Sequence, residues 1–152
     1  MPKDEHKIDP DNFCKGCPLD GQVKVPYEGR QGRKVMLVAE RPGWTEVKEG
    51  RPLVGKSGQL LEQTLNSYGL HRSDVVLANA RKCFKEDETS EEKALSLKHC
   101  RHFLVRAIKK VKPTLIVPMG NDALKTLTGK SGIMDKMGKL IPSEEFGCQI
   151  LP

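Results

Sequence analysis

The chain is poor in aromatic residues and has no long apolar run. Phe, Trp and Tyr together make up 5% of its 152 residues. So few rings argue against an extended base-stacking platform of the kind that binds single-stranded nucleic acid. No apolar run approaches the roughly 18 residues that a membrane-spanning helix needs, and the polar N-terminal stretch lacks the apolar core of a signal peptide. We therefore expect a soluble, intracellular (cytoplasmic) protein with no membrane partner.

Length and charge set broad limits on the class of protein. A chain of 152 residues suits one domain, and we predict a single domain over residues 1–152 with a flexible stretch at 1–11. Lys and Arg number 26 against 20 Asp and Glu, a formal net charge of +6. Basic side chains attract phosphates and release condensed counterions, so DNA is one candidate partner. The same excess is also ordinary solubilising charge, and charge alone does not decide between the two.

Short apolar runs predict the strands of a sheet. Three of them, rich in β-branched residues, are Val35–Ala39, Val75–Ala78 and Leu115–Met119. None alternates with polar residues, which is typical of parallel strands covered on both faces. Gly147–Leu151 is a weaker fourth candidate, and the basic, Gly- and Pro-bearing segment Lys130–Ser143 before it is predicted to be a mobile loop.

Helical patterns lie between these runs. The spacing of leucines predicts a helix over Ser57–Tyr68. A longer helix is predicted to begin near Thr89, whose distance from Glu92 is that of a capping box, and a short one over Asp122–Thr128, capped by Asn121. This alternation predicts a three-layer α/β/α sandwich with a four-stranded, mainly parallel sheet and right-handed crossovers.

Polar residues follow the predicted strands where each one ends. In open parallel sheets, ligands bind beyond the carboxyl ends of the strands. The residues there are Glu40, Arg41, Pro42 and Gly43 after the first strand, Asn79 after the second and Gly120 after the third. A carboxylate can orient a water molecule, and an Asn amide offers a donor and an acceptor to a planar heterocycle. Polar residues at strand ends also commonly do no more than close turns, so these residues are candidates only.

Four cysteines have a spacing that suggests a metal site. Cys14 and Cys17 form a C-x2-C pair, and Cys83 and Cys100 follow as separate single cysteines. Disulfides are disfavoured inside the cell, whereas four thiolates suit tetrahedral zinc or an iron–sulfur cluster. One close pair and two single cysteines differ from the two pairs of a zinc ribbon, which favours a cluster. Free buried cysteines are the alternative, and that is our interpretation of the remaining Cys148.

A glycine-rich stretch literally matches a phosphate-binding loop. Gly50, Gly55, Lys56 and Ser57 have the spacing G-x4-G-K-S. Such a loop cradles phosphates when it follows a strand and opens a helix. The residues before Gly50 are polar and turn-rich, so we interpret the match as accidental. A nucleotide-binding α/β protein remains one of the open hypotheses.

Motifs in a fixed order resemble those of a known family. They are Cys14–Leu19, Val38–Gly43, Gly50–Leu61 and Asn79–Cys83, and the match continues through Cys100 and residues 113–120. The chain resembles the family-4 uracil-DNA glycosylases, the iron–sulfur branch of their superfamily, to which domains of phage DNA polymerases are related. The resemblance covers nearly the whole chain, from Cys14 to Pro152.

The resemblance implies a fold, an activity and a set of site residues. It implies a uracil-DNA glycosylase-like fold and a base-excision repair enzyme that extrudes deoxyuridine from DNA and hydrolyses its N-glycosidic bond. Glu40 would be the catalytic residue and Asn79 the reader of the uracil edge. The other implied substrate-binding residues are Arg41, Pro42, Gly43, Leu53 and Gly120. The implied ligands of a structural 4Fe-4S cluster, with zinc as the alternative, are Cys14, Cys17, Cys83 and Cys100. We expect a monomer that acts on uracil-containing DNA.

Three features depart from the family pattern. Ala39 and Arg41 flank Glu40 where the family has glycine and a small residue. Leu53 replaces a phenylalanine that stacks on the flipped uracil. The chain stops at Pro152, before the family's C-terminal His-Pro motif, and we expect surface or structural roles for its own histidines, His6, His71, His99 and His102. These departures predict weak or absent activity. The alternative function is a catalytically inactive iron–sulfur DNA-binding module, such as part of a phage polymerase.

Overall fold

A five-stranded sheet lies at the centre of the structure, a computed structural model that describes residues 8–152. The strands are β1 (Val35–Ala39), β2 (Val76–Asn79), β3 (Leu115–Pro118), β4 (Ile141–Ser143) and β5 (Cys148–Ile150). Their order across the sheet is β2-β1-β3-β5-β4. β2, β1, β3 and β5 run parallel, and β4 pairs antiparallel with β5. The flexibility predicted for residues 1–7, like the role of His6, falls outside the described residues.

Helices connect the strands. They are α1 (Trp44–Glu49), α2 (Lys56–Ser67), a 3-10 turn (Arg72–Asp74), α3 (Ser90–Val111), α4 (Asn121–Thr128) and α5 (Ile133–Lys136). The predicted cap of α3 is present, since the Thr89 hydroxyl accepts a hydrogen bond from the Glu92 N–H at 3.1 Å. The predicted cap of α4 is wrong. Gly120 occupies that position, while the Asn121 side chain accepts hydrogen bonds from two backbone N–H groups that lead into α5.

Apolar side chains on both faces of the sheet make the core. On one face, α3 and α4 bury Leu104, Ile108 and Leu127 against Met36 and Ile116. On the other face, Leu61 and Leu65 of α2 pack with Leu37, Leu53 and Leu77. The predicted three-layer α/β/α architecture with a mainly parallel sheet is therefore confirmed. No helix among residues 8–152 is long and apolar enough to cross a membrane.

The structure adds two elements to the predicted fold. Lys130–Ser143 is not only a loop, because it contains α5 and the edge strand β4, which makes five strands where four were predicted. β4 forms through its pairing with β5, with Ile141 opposite Ile150, and three residues are too few to show a periodic pattern. The polar segment before Gly50 forms α1, which ends at that glycine in the left-handed conformation, with φ of 69°.

Candidate active site

Parallel pairing brings the predicted strand-end residues to one edge of the sheet. Ala39 of β1 is in register with Asn79 of β2, and Val38 is in register with Pro118 of β3. Glu40 therefore emerges beside Asn79, and Gly120 follows on the other side. The backbone continues the pairing past the strands, because the Arg81 N–H donates to the Glu40 carbonyl oxygen at 3.0 Å.

A cavity of about 500 Å³ opens at this edge. Six of the seven predicted catalytic and substrate-binding residues line it: Glu40, Arg41, Pro42, Gly43, Leu53 and Asn79. The seventh, Gly120, lies directly behind the Glu40 carboxylate. An ideal Cβ placed on Gly120 would fall 2.0 Å from Glu40 Oε1, so the carboxylate occupies space that only a glycine leaves free.

Glu40 shares its surroundings with a second acid. Burial raises the pKa of the Glu40 carboxyl above its ordinary 4.5, and the nearby Asp122 carboxylate raises it further, while the positive charge of Lys93 opposes the shift. Lys93 Nζ lies 2.8 Å from Asp122 Oδ2. Glu40 is thus a stronger base than an exposed glutamate once it is ionised, and Asp122 and Lys93 set how readily it ionises. Our sequence analysis missed Asp122, although it lies two residues beyond the predicted Gly120.

Asn79 presents an unused acceptor. The residue is 2% exposed, and its Oδ1 has no hydrogen-bond partner among residues 8–152. A buried carbonyl oxygen left unpaired is costly, and such atoms are rare away from functional sites. Because Asn79 also lines the cavity, its amide is placed to accept a hydrogen bond from a ligand and to donate one beside it.

The loop before α2 is held rigidly around Leu53. This residue is buried and adopts the left-handed conformation, with φ of 51°. Its carbonyl oxygen accepts a hydrogen bond from Arg72 Nη1 at 2.5 Å, and the neighbouring Pro52 carbonyl accepts from Nη2 of the same guanidinium. Gly58 of α2 packs against this carbonyl so closely that a Cβ there would lie 1.9 Å from the oxygen. The loop therefore forms a fixed wall of the cavity.

The anion position of the glycine-rich stretch is filled by the protein itself. The Glu46 carboxylate of α1 accepts hydrogen bonds from the backbone N–H groups of Gly43 at 2.9 Å, Val54 at 3.2 Å and Gly55 at 2.9 Å. Burial works to raise the pKa of Glu46, but these N–H groups outweigh it and hold the pKa below 4.5. A helix rather than a strand precedes the loop. The nucleotide-binding hypothesis is therefore not supported, because the backbone N–H groups that would bind a phosphate are bonded to Glu46 and because no strand leads into the loop.

An aromatic pair lies at the mouth of the cavity. The rings of Trp44 and Phe84 meet edge to face with centroids 4.9 Å apart. The Arg41 guanidinium carbon lies 4.9 Å from the centre of the Phe84 ring, and Arg41 Nη1 donates to Glu88 Oε1 at 3.3 Å. Arg41 therefore lies along the rim. Sequence reasoning missed both rings, although the one tryptophan directly after Pro42-Gly43 was a signal that could have revealed one of them.

The four predicted metal-ligand cysteines line one small internal cavity. Cys14 and Cys17 lie on a tight turn in which the Cys17 N–H donates to the Cys14 carbonyl at 2.9 Å, while Cys83 follows β2 and Cys100 lies on α3. Burial, followed by the neighbouring Cys100, raises the pKa of the Cys83 thiol to about 12. As the side chains stand, no group of three or more His, Cys, Asp or Glu within residues 8–152 has the arrangement of a metal site.

Other side chains around the cysteines fix the N-terminal segment. His99 is buried, and its Nδ1 lies 2.6 Å from the Phe13 carbonyl oxygen, which links the N-terminal turn to α3. His102 stacks on the Phe13 ring with centroids 5.0 Å apart, and His71 precedes the 3-10 turn. These three histidines therefore make structural contacts. The Cys148 side chain, on β5, packs in the core.

The fold and the cavity define a three-layer α/β protein with its ligand site at the carboxyl edge of parallel strands. A family model described as the Uracil DNA glycosylase superfamily matches residues 26–152. The chain belongs to this superfamily, and the resemblance seen in its motifs is confirmed.

Relatives extend the comparison. The chain is 34% identical over 144 residues to a Type-4 uracil-DNA glycosylase of Pyrobaculum aerophilum, covering 90% of this chain and 73% of the relative. It is 38% identical over 116 residues to a Type-4 uracil-DNA glycosylase of Thermotoga maritima, covering 73% and 58%. A DNA polymerase of Bacillus phage SP01 is 26% identical over 127 residues, which are 84% of this chain and 13% of the polymerase. The chain thus spans only part of each relative's length.

Proposed function

We propose that the chain is a uracil-DNA glycosylase, which hydrolyses the N-glycosidic bond of deoxyuridine in DNA. One observation carries the proposal: Glu40 and Asn79 emerge from adjacent parallel strands into one cavity, where the Asn79 acceptor has no hydrogen-bond partner among the residues that the structure describes. This combination offers a base and a heterocycle reader within a single pocket. The Type-4 uracil-DNA glycosylase relatives support the same assignment.

Each residue has a distinct part in the proposed reaction. Asn79 Oδ1 accepts the N3–H of an extruded uracil, and the amide N–H donates to an adjacent carbonyl oxygen, which helps to offset the cost of extrusion. The bond from the sugar C1′ to uracil N1 breaks, and the electron pair leaves with the base. The Glu40 carboxylate stabilises the positive charge that develops on the sugar and orients a water molecule, whose oxygen bonds to C1′. Glu40 accepts the proton from that water and returns it through solvent to the released uracil anion, which regenerates the carboxylate.

Uracil release from single- and double-stranded oligonucleotides tests this assignment. We expect Glu40→Gln and Asn79→Asp each to slow release by about 100-fold or more, because general-base and electrostatic contributions are of that size. Asn66→Asp is the matched control, since it makes the same chemical change at an exposed position on α2. Unchanged release in the Glu40 and Asn79 variants would exclude the roles proposed for these residues.

We also propose that the four cysteines hold a 4Fe-4S cluster, with zinc as the alternative. The donor set fits, because four thiols from three separate segments line one cavity. The buried Lys82 Nζ beside them has no hydrogen-bond partner among the described residues, and Lys24 also borders the cavity, so positive charge is available to balance thiolates. A bound group would crosslink the N-terminal turn, the loop after β2 and helix α3, and would supply folding free energy. We assign it no step in the reaction.

A second candidate function is DNA binding without base excision. The similarity to a segment that makes up 13% of a phage DNA polymerase favours it, as does the bulky Arg41 at the rim of the cavity. Binding that weakens steeply with salt, without any abasic product, would identify this function. We propose that in either case the chain acts as a monomer on DNA.

A further inference from the structure

We propose that Trp44 and Phe84 form a stacking site for the base next to the extruded nucleotide. This proposal deepens the proposed function and depends on it only for the identity of the strand, which is DNA with one base in the cavity. The site would take any neighbouring base, because each base offers a flat π-face to an aromatic ring. The ligand class is therefore a single-stranded stretch of DNA around the extruded nucleotide.

The geometry of the pair supports stacking. Trp44 is 63% exposed although it lines the cavity, and it packs edge to face on the half-buried Phe84. The edge-to-face contact packs the indole against a second ring, and most of the indole stays exposed to solvent. Two contacting rings on a cavity wall are more informative than a single exposed ring such as Tyr68. The exposed indole of Trp44 thus borders the cavity, where a strand would continue past an extruded nucleotide.

The charges around the pair suit a nucleic-acid strand. Arg41 lies over the Phe84 ring and stays partly exposed beside its partner Glu88, and Lys56 at the start of α2 is exposed on the cavity wall. Phosphates on either side of an extruded nucleotide would meet these cations. A purely apolar protein segment would gain nothing from this charge, which is why a nucleotide fits the site better.

The aromatic and aliphatic residues that line the cavity differ in what they offer a ligand. Of the described residues that line it, Trp44 and Phe84 are the only aromatic ones, and the apolar interior consists of aliphatic side chains such as Leu53, Leu61 and Met119. Asn79 also lines the cavity, and its side-chain acceptor is unpaired within residues 8–152. The interior therefore offers an edge reader and aliphatic walls, and the mouth offers rings.

The one tryptophan of the chain makes the test direct, since Trp44 alone supplies the indole fluorescence. The Glu40→Gln variant of the chain, in which we expect uracil release to be slow, is titrated with a single-stranded oligonucleotide that contains one uracil. A second oligonucleotide carries abasic sites on both sides of that uracil. We expect binding of the first to quench the fluorescence, and the second to bind with less quenching and about tenfold more weakly.

Substitutions provide the second readout, with binding followed by anisotropy of a labelled oligonucleotide. We expect Trp44→Ala to weaken binding by about tenfold and Trp44→Phe to restore most of it. Tyr68→Ala is the matched control, because Tyr68 is 80% exposed and lies outside the cavity. Three results would overturn the proposal: Trp44→Ala binds the oligonucleotide as tightly as the unchanged protein does, the oligonucleotide saturates the protein without quenching its fluorescence, or the protein does not bind DNA. If DNA quenches the fluorescence but the unchanged chain releases no uracil, the stacking site is supported and the glycosylase activity is refuted. If uracil is released without any quenching, the glycosylase activity is supported and the stacking site is refuted.

Discussion

Gly120 lies so close to Glu40 that the two residues cannot both carry side chains there, since an ideal Cβ on Gly120 would fall 2.0 Å from Glu40 Oε1. Gly120 also has a φ of 108°, which side chains of L-residues disfavour. The glycine thus makes room for the carboxylate at the carboxyl edge of the sheet. We propose that this contact sets the direction of Glu40 toward the substrate.

The first prediction is that Gly120→Ala slows uracil release by about 100-fold, close to the effect of Glu40→Gln, because the added methyl group displaces the carboxylate. Gly129→Ala is the control. It also places alanine at a positive φ, 72°, but beyond its chain neighbours no heavy atom of the described residues lies within 4 Å of a Cβ built there. Both variants lose some stability to backbone strain, and thermal melts measure that loss. An equal loss of activity in the two variants would show that backbone strain, and not displacement of Glu40, causes the loss.

The second prediction concerns the pH dependence of uracil release. The proposed role requires ionised Glu40, so activity is lost as pH falls through a pKa that lies above 4.5. Asp122→Asn removes the neighbouring negative charge, which lowers the pKa of Glu40 and moves the acid limb of the profile to lower pH. Lys93→Met removes the opposing positive charge and moves the acid limb to higher pH. Single-turnover rates from pH 4 upward measure both shifts, and two unmoved profiles would rule out this electrostatic coupling.

Much of this arrangement follows from the sequence because strands in a parallel sheet end at a common edge. The apolar run Val35–Ala39 forms β1 with the predicted bounds. Glu40 and Asn79 then had to lie side by side, because β1 and β2 pair in parallel. The gathering of the cysteines followed only from the family resemblance and the chemistry of thiolates, since nothing in their spacing fixes a distance in space.

Contacts between distant segments account for what the sequence did not reveal. Helix α1 is only six residues long, and it is fixed by the hydrogen bonds that Glu46 accepts from the loop before α2, which no periodicity shows. The approach of Asp122 to Glu40 depends on the unusual backbone turn at Gly120. The rings of Trp44 and Phe84 are 40 positions apart in the sequence and meet only because β1 and β2 pair.

The third prediction concerns Glu46 as a structural support of the cavity wall. Glu46→Ala leaves three backbone N–H groups without their acceptor and is expected to lower the free energy of unfolding by about 2 kcal/mol. Glu49→Ala, one turn further along α1 and exposed, should change it by less than about 0.5 kcal/mol. Urea titrations measure both values. A change in Glu46→Ala as small as that in Glu49→Ala would mean that the loop does not depend on this carboxylate.

The same carboxylate gives the protein a pH-dependent stability. Because the folded state holds the pKa of Glu46 below 4.5, the ionised form stabilises the fold fully above the unfolded-state pKa. This contribution is lost as pH falls through the lower, folded-state value. The stability difference between the unchanged protein and Glu46→Ala should therefore be constant near neutral pH and should shrink below about pH 4.5. A difference that grows in acid would contradict the direction of the shift.

The last prediction separates the four clustered cysteines from the fifth. Protein purified without oxygen should contain about four iron atoms per chain and absorb visible light broadly, as a [4Fe–4S] centre does. Cys83→Ala and Cys100→Ala should lose the iron and the colour and should melt at a lower temperature, because the metal no longer crosslinks the N-terminal turn to the sheet. Cys148→Ala should keep the iron, since that thiol belongs to β5 and packs in the core, outside the cavity that the other four cysteines line. A colourless protein with one zinc per chain would establish zinc as the metal. A protein without any metal, in which all four thiols react with a thiol reagent, would exclude both the cluster and zinc.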